Sequence, residues 1–157
     1  MPMSEYYNNL REKIGSDLLF IPSVAAIIRN EENEILFVRK NNERIWGLPA
    51  GAIEMGETPA ESVTREVYEE TGLIIRAEKI LGVFGGEKYR YEYSNGHQVE
   101  YLTIVFKCKI VDGTLNGLDG EIEEVRFYRE DEIPEITIPY PKELFIKDLN
   151  THKIIFE

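Results

Sequence analysis

Glu66, Glu69 and Glu70 are the side chains of this sequence whose type and spacing most plainly suit joint chemistry. Residues three and four apart share a face of a helix. If 58–71 is helical, the three carboxylates project from one side within roughly one turn. Like charges so placed cost roughly 0.2–0.5 kcal/mol per close pair unless something neutralises them. A merely solvated acidic face is the competing reading, but such a face carries Lys or Arg four residues on, and Glu66 has Glu70 there instead. Clustered carboxylate oxygens are what hard cations such as Mg²⁺ or Mn²⁺ select, and Mg²⁺ bridges carboxylates to substrate phosphates. The spacing therefore points to phosphate chemistry.

The surrounding residues supply the elements that must position this cluster. Thr58-Pro59 reads as a helix start, with Thr as N-cap and Pro at the first helical position, where its missing N–H costs nothing. Gly72 is a natural stop, and Ala60, Val63 and Val67 form a stripe that can face a core. A short strand, 46–49, and a glycine-containing loop, 51–57, lead into the helix. Upstream, Tyr7, Leu10 and Ile14 give an amphipathic helix over 4–15. The β-rich runs 21–29 and 34–39 read as a hairpin around Asn30-Glu31-Glu32-Asn33. Downstream come strands at 74–84, 88–93 and 99–110, with Asn95-Gly96 as a hairpin turn between the last two. A strand at 124–128 and a C-terminal helix at 142–149 complete the series. Strands on both sides of a central helix predict an α/β sandwich around a mixed sheet. Its expected parts are a helical extension (1–17), a catalytic domain (18–150) and a short tail (151–157).

Bulk properties narrow the partners. The 157 residues carry 29 acids against 18 bases, a net charge of −11. A surface that negative repels nucleic-acid polymers and anionic lipid, because binding them rests on Lys and Arg neutralising phosphates. A small phosphorylated substrate stays compatible only if divalent cations bridge it to the protein. No apolar run approaches the ~20 residues of a membrane span, and the polar start MPMSEYYNNLREK is unlike a secretory signal, so a cytoplasmic location is expected. Cys108, the sole cysteine, reads as a core thiol. His97 and His152 are isolated, and no Walker A segment, GxSxG elbow or HExxH motif is present.

The loop and helix together read Gly51-x5-Glu57-x7-Arg65-Glu66-Val67-x-Glu69-Glu70-x-Gly72-Leu73. This segment resembles the Nudix box, the signature of the Nudix (MutT-like) hydrolase superfamily, at every specified position. Such a match arises by chance on the order of once per 10⁹ starting positions. The resemblance implies a Nudix-type α/β/α sandwich and metal-dependent cleavage of a phosphoanhydride, with Mg²⁺ or Mn²⁺ as cofactor. It implies that Glu69 and Glu70 are metal ligands and that Glu66 is a further ligand or the base that activates water. The backbone carbonyl of Ala50 or Gly51 would complete the inner shell. Arg65 would hold Glu57 in an ion pair; a surface Arg paired with Glu61 or Glu69 is the alternative. A further acid on a distant loop is common in the family, and Glu121 in the run 119–124 occupies that place. Ala50 stands where a second glycine is usual, which bears on loop geometry only.

The expected partner is a small nucleotide, with no nucleic-acid polymer and no membrane; a homodimer stays open. Tyr89, Tyr91 and Tyr93 alternate along one strand, where they could stack on a base or pack on the sheet, and Trp46 reads as core. The proline that ADP-ribose hydrolases of this family often carry beyond the box is missing, which favours a nucleoside tri- or diphosphate. ADP-ribose, a sugar nucleotide and a dinucleoside polyphosphate are the alternatives. A nucleotide-sensing module without catalysis is the non-enzymatic reading, weakened because all box glutamates are retained. Diphosphate isomerisation ranks last, since Cys108 lacks a flanking signature.

Overall fold

The computed structural model describes residues 4–116, 120–146 and 153–157. Ten residues of each strand pair set the frame: β1 (Leu19–Ile28) runs parallel to β6 (Gln98–Gly113), from Leu19 opposite Val99 to Ile28 opposite Cys108. The other edge of β1 pairs antiparallel with β3 (Ala50–Ala52). On the far side of β6 lies β4 (Leu73–Phe84), antiparallel, and beyond it β8 (Ile155–Phe156), parallel. With β5 (Arg90–Glu92) on the end of β6, this is a mixed six-stranded sheet. A separate antiparallel pair joins β2 (Ile35–Lys40) to β7 (Ile122–Tyr128).

Alternation along β1 sends residues to opposite faces. Val24, Ala26 and Ile28 pack against Val63 and Val67 of the central helix α2 (Pro59–Thr71). Ala25 and Ile27 face a second cluster with Phe37, Trp46, Leu48 and Phe84. The N-terminal helix α1 (Glu5–Ile14) lies on that second face, where Tyr7 is buried with Leu19, Ile21 and Val99. Helices thus cover both faces of a mixed sheet, the predicted α/β architecture. Among the described residues no helix is long and apolar enough to cross a membrane.

The local signals around α2 act as the sequence suggests. Thr58 Oγ1 accepts the Glu61 N–H, and the Glu61 carboxylate accepts the Thr58 N–H, a reciprocal capping box. Gly72 closes the helix at φ 79°, and a side chain there would strike the Thr114 carbonyl at 2.5 Å, so the stop requires glycine twice over.

Several expectations need correction. The turn 30–33 reverses the chain, but β1 and β2 are not a hairpin; one bridge, Arg29 to Ile35, links them. Both edges of β1 are already taken by β3 and β6, so β2 leaves the sheet and pairs with β7. The segment 46–49 is joined by single bridges, Val38 to Gly47 and Trp46 to Ile136, rather than as a strand. Residues 87–89 form a 3₁₀ turn, so Tyr89 leaves the strand face and is fully buried beside Phe84. Near the C-terminus a 3₁₀ turn spans Lys142–Phe145 where a helix over 142–149 is expected; 147–149 lie outside the described residues.

Candidate active site

A cavity of about 220 Å³ opens where β3, the second half of α2 and the tyrosines near β5 meet. Glu66 and Glu70, one helical turn apart, both reach it, and each is only 1% exposed. Their burial follows from α2 packing its Val63 and Val67 stripe on β1 while β3 runs beneath the adjacent face. A carboxylate out of water favours its neutral form. Burial accordingly raises the Glu66 pKa from 4.5 to about 7, against the opposing pull of Arg65. Burial also raises that of Glu70, with Lys40 and the Ala50 N–H working the other way. The Ala50 N–H donates to Glu70 Oε1 at 2.8 Å, tying strand to helix.

Arg65 organises the rest. Its Nε donates to Glu57 Oε1 at 2.5 Å and its Nη2 to Glu57 Oε2 at 2.9 Å, a two-pronged grip that fixes the loop ahead of the helix. The hydrogen bonds from Arg65 hold the Glu57 carboxyl below its usual range. Nη1 reaches Glu66 Oε1 at 2.8 Å and Glu69 Oε2 at 3.3 Å, and Nη2 reaches the Ala52 carbonyl at 3.2 Å. The Glu57 partner and the Glu69 partner expected as alternatives are thus both present.

Gly51 lies directly under Glu66: a methyl group there would sit 2.1 Å from the Glu66 carboxyl carbon. Only a bare backbone lets the carboxylate occupy this spot. Glu66 Oε2 is buried without a hydrogen-bond partner, which a native structure rarely tolerates without a reason. A hard cation is a fitting partner for that oxygen, and the carboxylate oxygens of Glu66 and Glu70 are the donors such an ion selects. Glu69 is turned toward Arg65, so the three helix glutamates do not converge; among the described residues no three acidic, His or Cys side chains are set to hold one ion. Glu121 stands at the head of β7, where its carbonyl accepts the Asn41 N–H at 2.8 Å, outside the cavity lining.

The cavity adds residues that the motif does not specify. Glu54 sits in the loop, and Lys40 with Glu43 guards the end of β2. Burial works to lower the Lys40 pKa, but Glu70, Tyr93 and Glu43 outweigh it and hold the ammonium charged. Tyr91 and Tyr93 line the wall edge to face, 4.8 Å between centroids, and the Tyr93 hydroxyl meets that of Tyr101 at 2.6 Å. At the floor Ser23 and Thr103 share a hydrogen bond of 2.6 Å. The sequence carried a signal for Tyr91 and Tyr93, but none for Ser23, Thr103 or Tyr101, which strand pairing brings together. Trp46 is core, as expected, with the Arg39 and Arg126 guanidiniums over its ring.

Comparison with known proteins agrees with this geometry. An ADP-ribose pyrophosphatase of Methanocaldococcus jannaschii is 34% identical over 131 residues, which cover 81% of this chain and 72% of the relative. The putative ADP-ribose pyrophosphatase YjhB of Bacillus subtilis is 34% identical over 120 residues, 74% of this chain; the chain spans only 55% of that relative's length. A solved UDP-X diphosphatase superposes on 100% of this chain and 76% of its own with a TM-score of 0.73 at 27% identity. The model of the NUDIX domain matches residues 19–149, a stretch holding the loop, α2 and the glutamates of the cavity, and the chain belongs to the NUDIX domain family.

Proposed function

We propose that this chain is a divalent-metal-dependent hydrolase that cleaves the phosphoanhydride of a nucleoside diphosphate joined to a second moiety, such as a sugar. The observation that carries the reading is the pair of buried carboxylates at the edge of an aromatic cavity, Glu66 set over bare Gly51 and Glu70 on the Ala50 N–H. Glu66 and Glu70, with the Ala50 or Gly51 carbonyl, would hold Mg²⁺ or Mn²⁺, and Glu69, which faces Arg65 at 3.3 Å, would have to leave that contact to join them. When bound, the ion supplies charge neutralisation on the diphosphate and a more acidic water. Glu66, buried at the cavity with Arg65 on its Oε1, would be a further ligand or would take the proton of the attacking water. Arg65 and Glu57 fix the loop beneath the reacting phosphate, Lys40 faces the anion, and Glu121, which stands outside the cavity lining, would serve as the further acid by swinging toward the ion. Catalysis in such a site rests on positioning and electrostatics.

The charge of the cavity favours the diphosphate diester over a nucleoside triphosphate. Its described lining holds Glu43, Glu54, Glu66 and Glu70 against Lys40 as the only cation. A terminal phosphate monoester brings about −1.5 to −2 at neutral pH, whereas each phosphate of a diester brings roughly −1. The names of the relatives, ADP-ribose pyrophosphatase and UDP-X diphosphatase, support the same class. A nucleoside tri- or diphosphate is the second reading, favoured by the stacking wall of Tyr91 and Tyr93, which needs only a base. The test compares kcat/KM for ADP-ribose, a UDP-sugar, nucleoside triphosphates and a dinucleoside polyphosphate at one Mg²⁺ concentration. The proposal expects a nucleoside diphosphate sugar to lead by about tenfold or more, ~1.4 kcal/mol. A triphosphate leading by that margin transfers the assignment to the second reading.

A further inference from the structure

Resting on that reading, we propose that Tyr7 of the N-terminal helix is a positioning residue for the loop 53–57, bracing the catalytic loop from the opposite wall of the cavity. The Tyr7 hydroxyl donates to the Ile53 carbonyl at 2.6 Å, across 46 residues of chain. Tyr7 is 3% exposed, and its ring packs with Leu19, Ile21 and Val99, in the cluster against which Tyr91, Tyr93 and Tyr101 also pack. One side chain therefore ties the loop that carries Glu54 and Glu57 to the cluster on which the aromatic wall packs.

The helix is itself anchored so that this hydroxyl can act as a fixed point. Ser4 caps its first turn, accepting the Tyr7 N–H. At the other end Arg11, 8% exposed, donates from Nη1 to the Gly15 and Asp17 carbonyls at 3.1 and 2.7 Å and from Nη2 to the Gln98 carbonyl at 3.0 Å. The loop has few other ties of comparable rigidity. Ile53 N–H reaches the Pro22 carbonyl at 2.9 Å, while Glu54 and Glu57 are bonded to each other. Arg65 grips Glu57 from the α2 side. The loop is thus clamped between Arg65 on one flank and Tyr7 on the other. Burial, then the nearby Glu54, Tyr6 and Glu57, keep the Tyr7 hydroxyl protonated, its pKa pushed up to about 12, so it remains a donor at neutral pH.

Tyr7→Phe removes the donor and leaves the ring packing in place; Tyr6→Phe, on the exposed neighbour, is the control. Two readouts are taken on the full chain: steady-state kinetics with the preferred substrate of the panel above, and amide hydrogen exchange in Mg²⁺-free buffer. For Tyr7→Phe the expectation is a kcat lower by roughly tenfold, since small misplacements far from the chemistry are costly, with KM within about twofold. Exchange of the Ile53, Glu54 and Glu57 amides should quicken by roughly tenfold while the β6 amides stay unchanged, a local opening. Wild-type kcat, wild-type exchange in the loop, or equal acceleration across β6 would each overturn the positioning role. If the wild-type protein turns over nothing in the panel, the hydrolase reading fails, and the exchange data alone decide whether Tyr7 braces the loop.

Discussion

Adding one methyl group at Gly51 perturbs the site without changing any charge. In Gly51→Ala the new carbon would lie 2.1 Å from the Glu66 carboxyl carbon and 2.2 and 2.4 Å from its oxygens, far inside the ~3.5–4.0 Å of ordinary carbon contact. The backbone of Gly51 is not in the left-handed region, so the cost is steric rather than conformational. Two responses are open. If Glu66 stays, the overpacking costs roughly 1–3 kcal/mol. If it swings away, the hydrogen bond from Arg65 at 2.8 Å breaks, worth roughly 1.5–3 kcal/mol for a charged pair. In exchange the unpartnered Oε2 reaches water, which returns roughly 1–3 kcal/mol of desolvation. The two terms nearly cancel, so the fold should lose no more than about 1–2 kcal/mol. In a chain of this size each kcal/mol moves Tm by roughly 2–4 °C, so the melting point should fall by less than about 8 °C. Catalysis has no such compensation: a displaced general base costs about 10²–10⁴-fold. Differential scanning fluorimetry beside kcat under saturating Mg²⁺ separates the two effects. A Gly51→Ala protein with kcat within about threefold of wild type would refute the placement of Glu66 at the reacting centre.

Further expectations follow from the same geometry. Glu70→Gln keeps an acceptor for the Ala50 N–H but loses the charge; kcat should fall roughly 10²-fold or more at saturating Mg²⁺ with unchanged circular dichroism, while Glu61→Gln, in the capping box, stays within about twofold. Burial lifts the Glu66 pKa above its unfolded 4.5 to about 7, so the folded state holds a proton that the unfolded chain has released. The stability from this group is full below about pH 4.5 and lost as pH rises through 7. In EDTA, Tm should therefore drop between about pH 5 and 8, less steeply for Glu66→Gln; an equal drop in both proteins assigns it to other groups. Burial, then Glu78, pushes the Cys108 thiol up to about 12, and a thiol reagent at pH 7–8 should label it only after denaturation; prompt labelling of native protein contradicts its burial.

How far the sequence discloses this protein depends on whether a feature is local. The helix α2 is written in Thr58, Pro59 and Gly72, whose capping chemistry acts within a turn, and the structure uses all of them. The Arg65–Glu57 grip lies eight residues apart in the motif, and its partners are as expected. The errors arise where one segment has two eligible neighbours. The strand β2 has a proper turn before it, yet β1 has no edge left to offer, a fact set by β6 some 70 residues later. Tyr89 illustrates the same limit: period-two spacing suggests a shared face, but the 3₁₀ turn takes it into the core while Tyr91 and Tyr93 line the cavity. Lys40, Ser23, Thr103 and Tyr7 enter the site through tertiary pairing, and nothing in their immediate sequence marks them.

The most direct measurement is nucleoside monophosphate release from ADP-ribose and from a UDP-sugar, followed for the wild-type chain and for Glu66→Gln/Glu70→Gln, each with Mg²⁺ and with EDTA. The account predicts release of the nucleoside monophosphate and the phosphorylated partner by wild type in Mg²⁺ alone, with the double variant at least roughly 10³-fold slower. Turnover that survives EDTA, or a double variant as fast as wild type, would contradict the claim that these two buried carboxylates carry a metal-dependent phosphoanhydride hydrolysis.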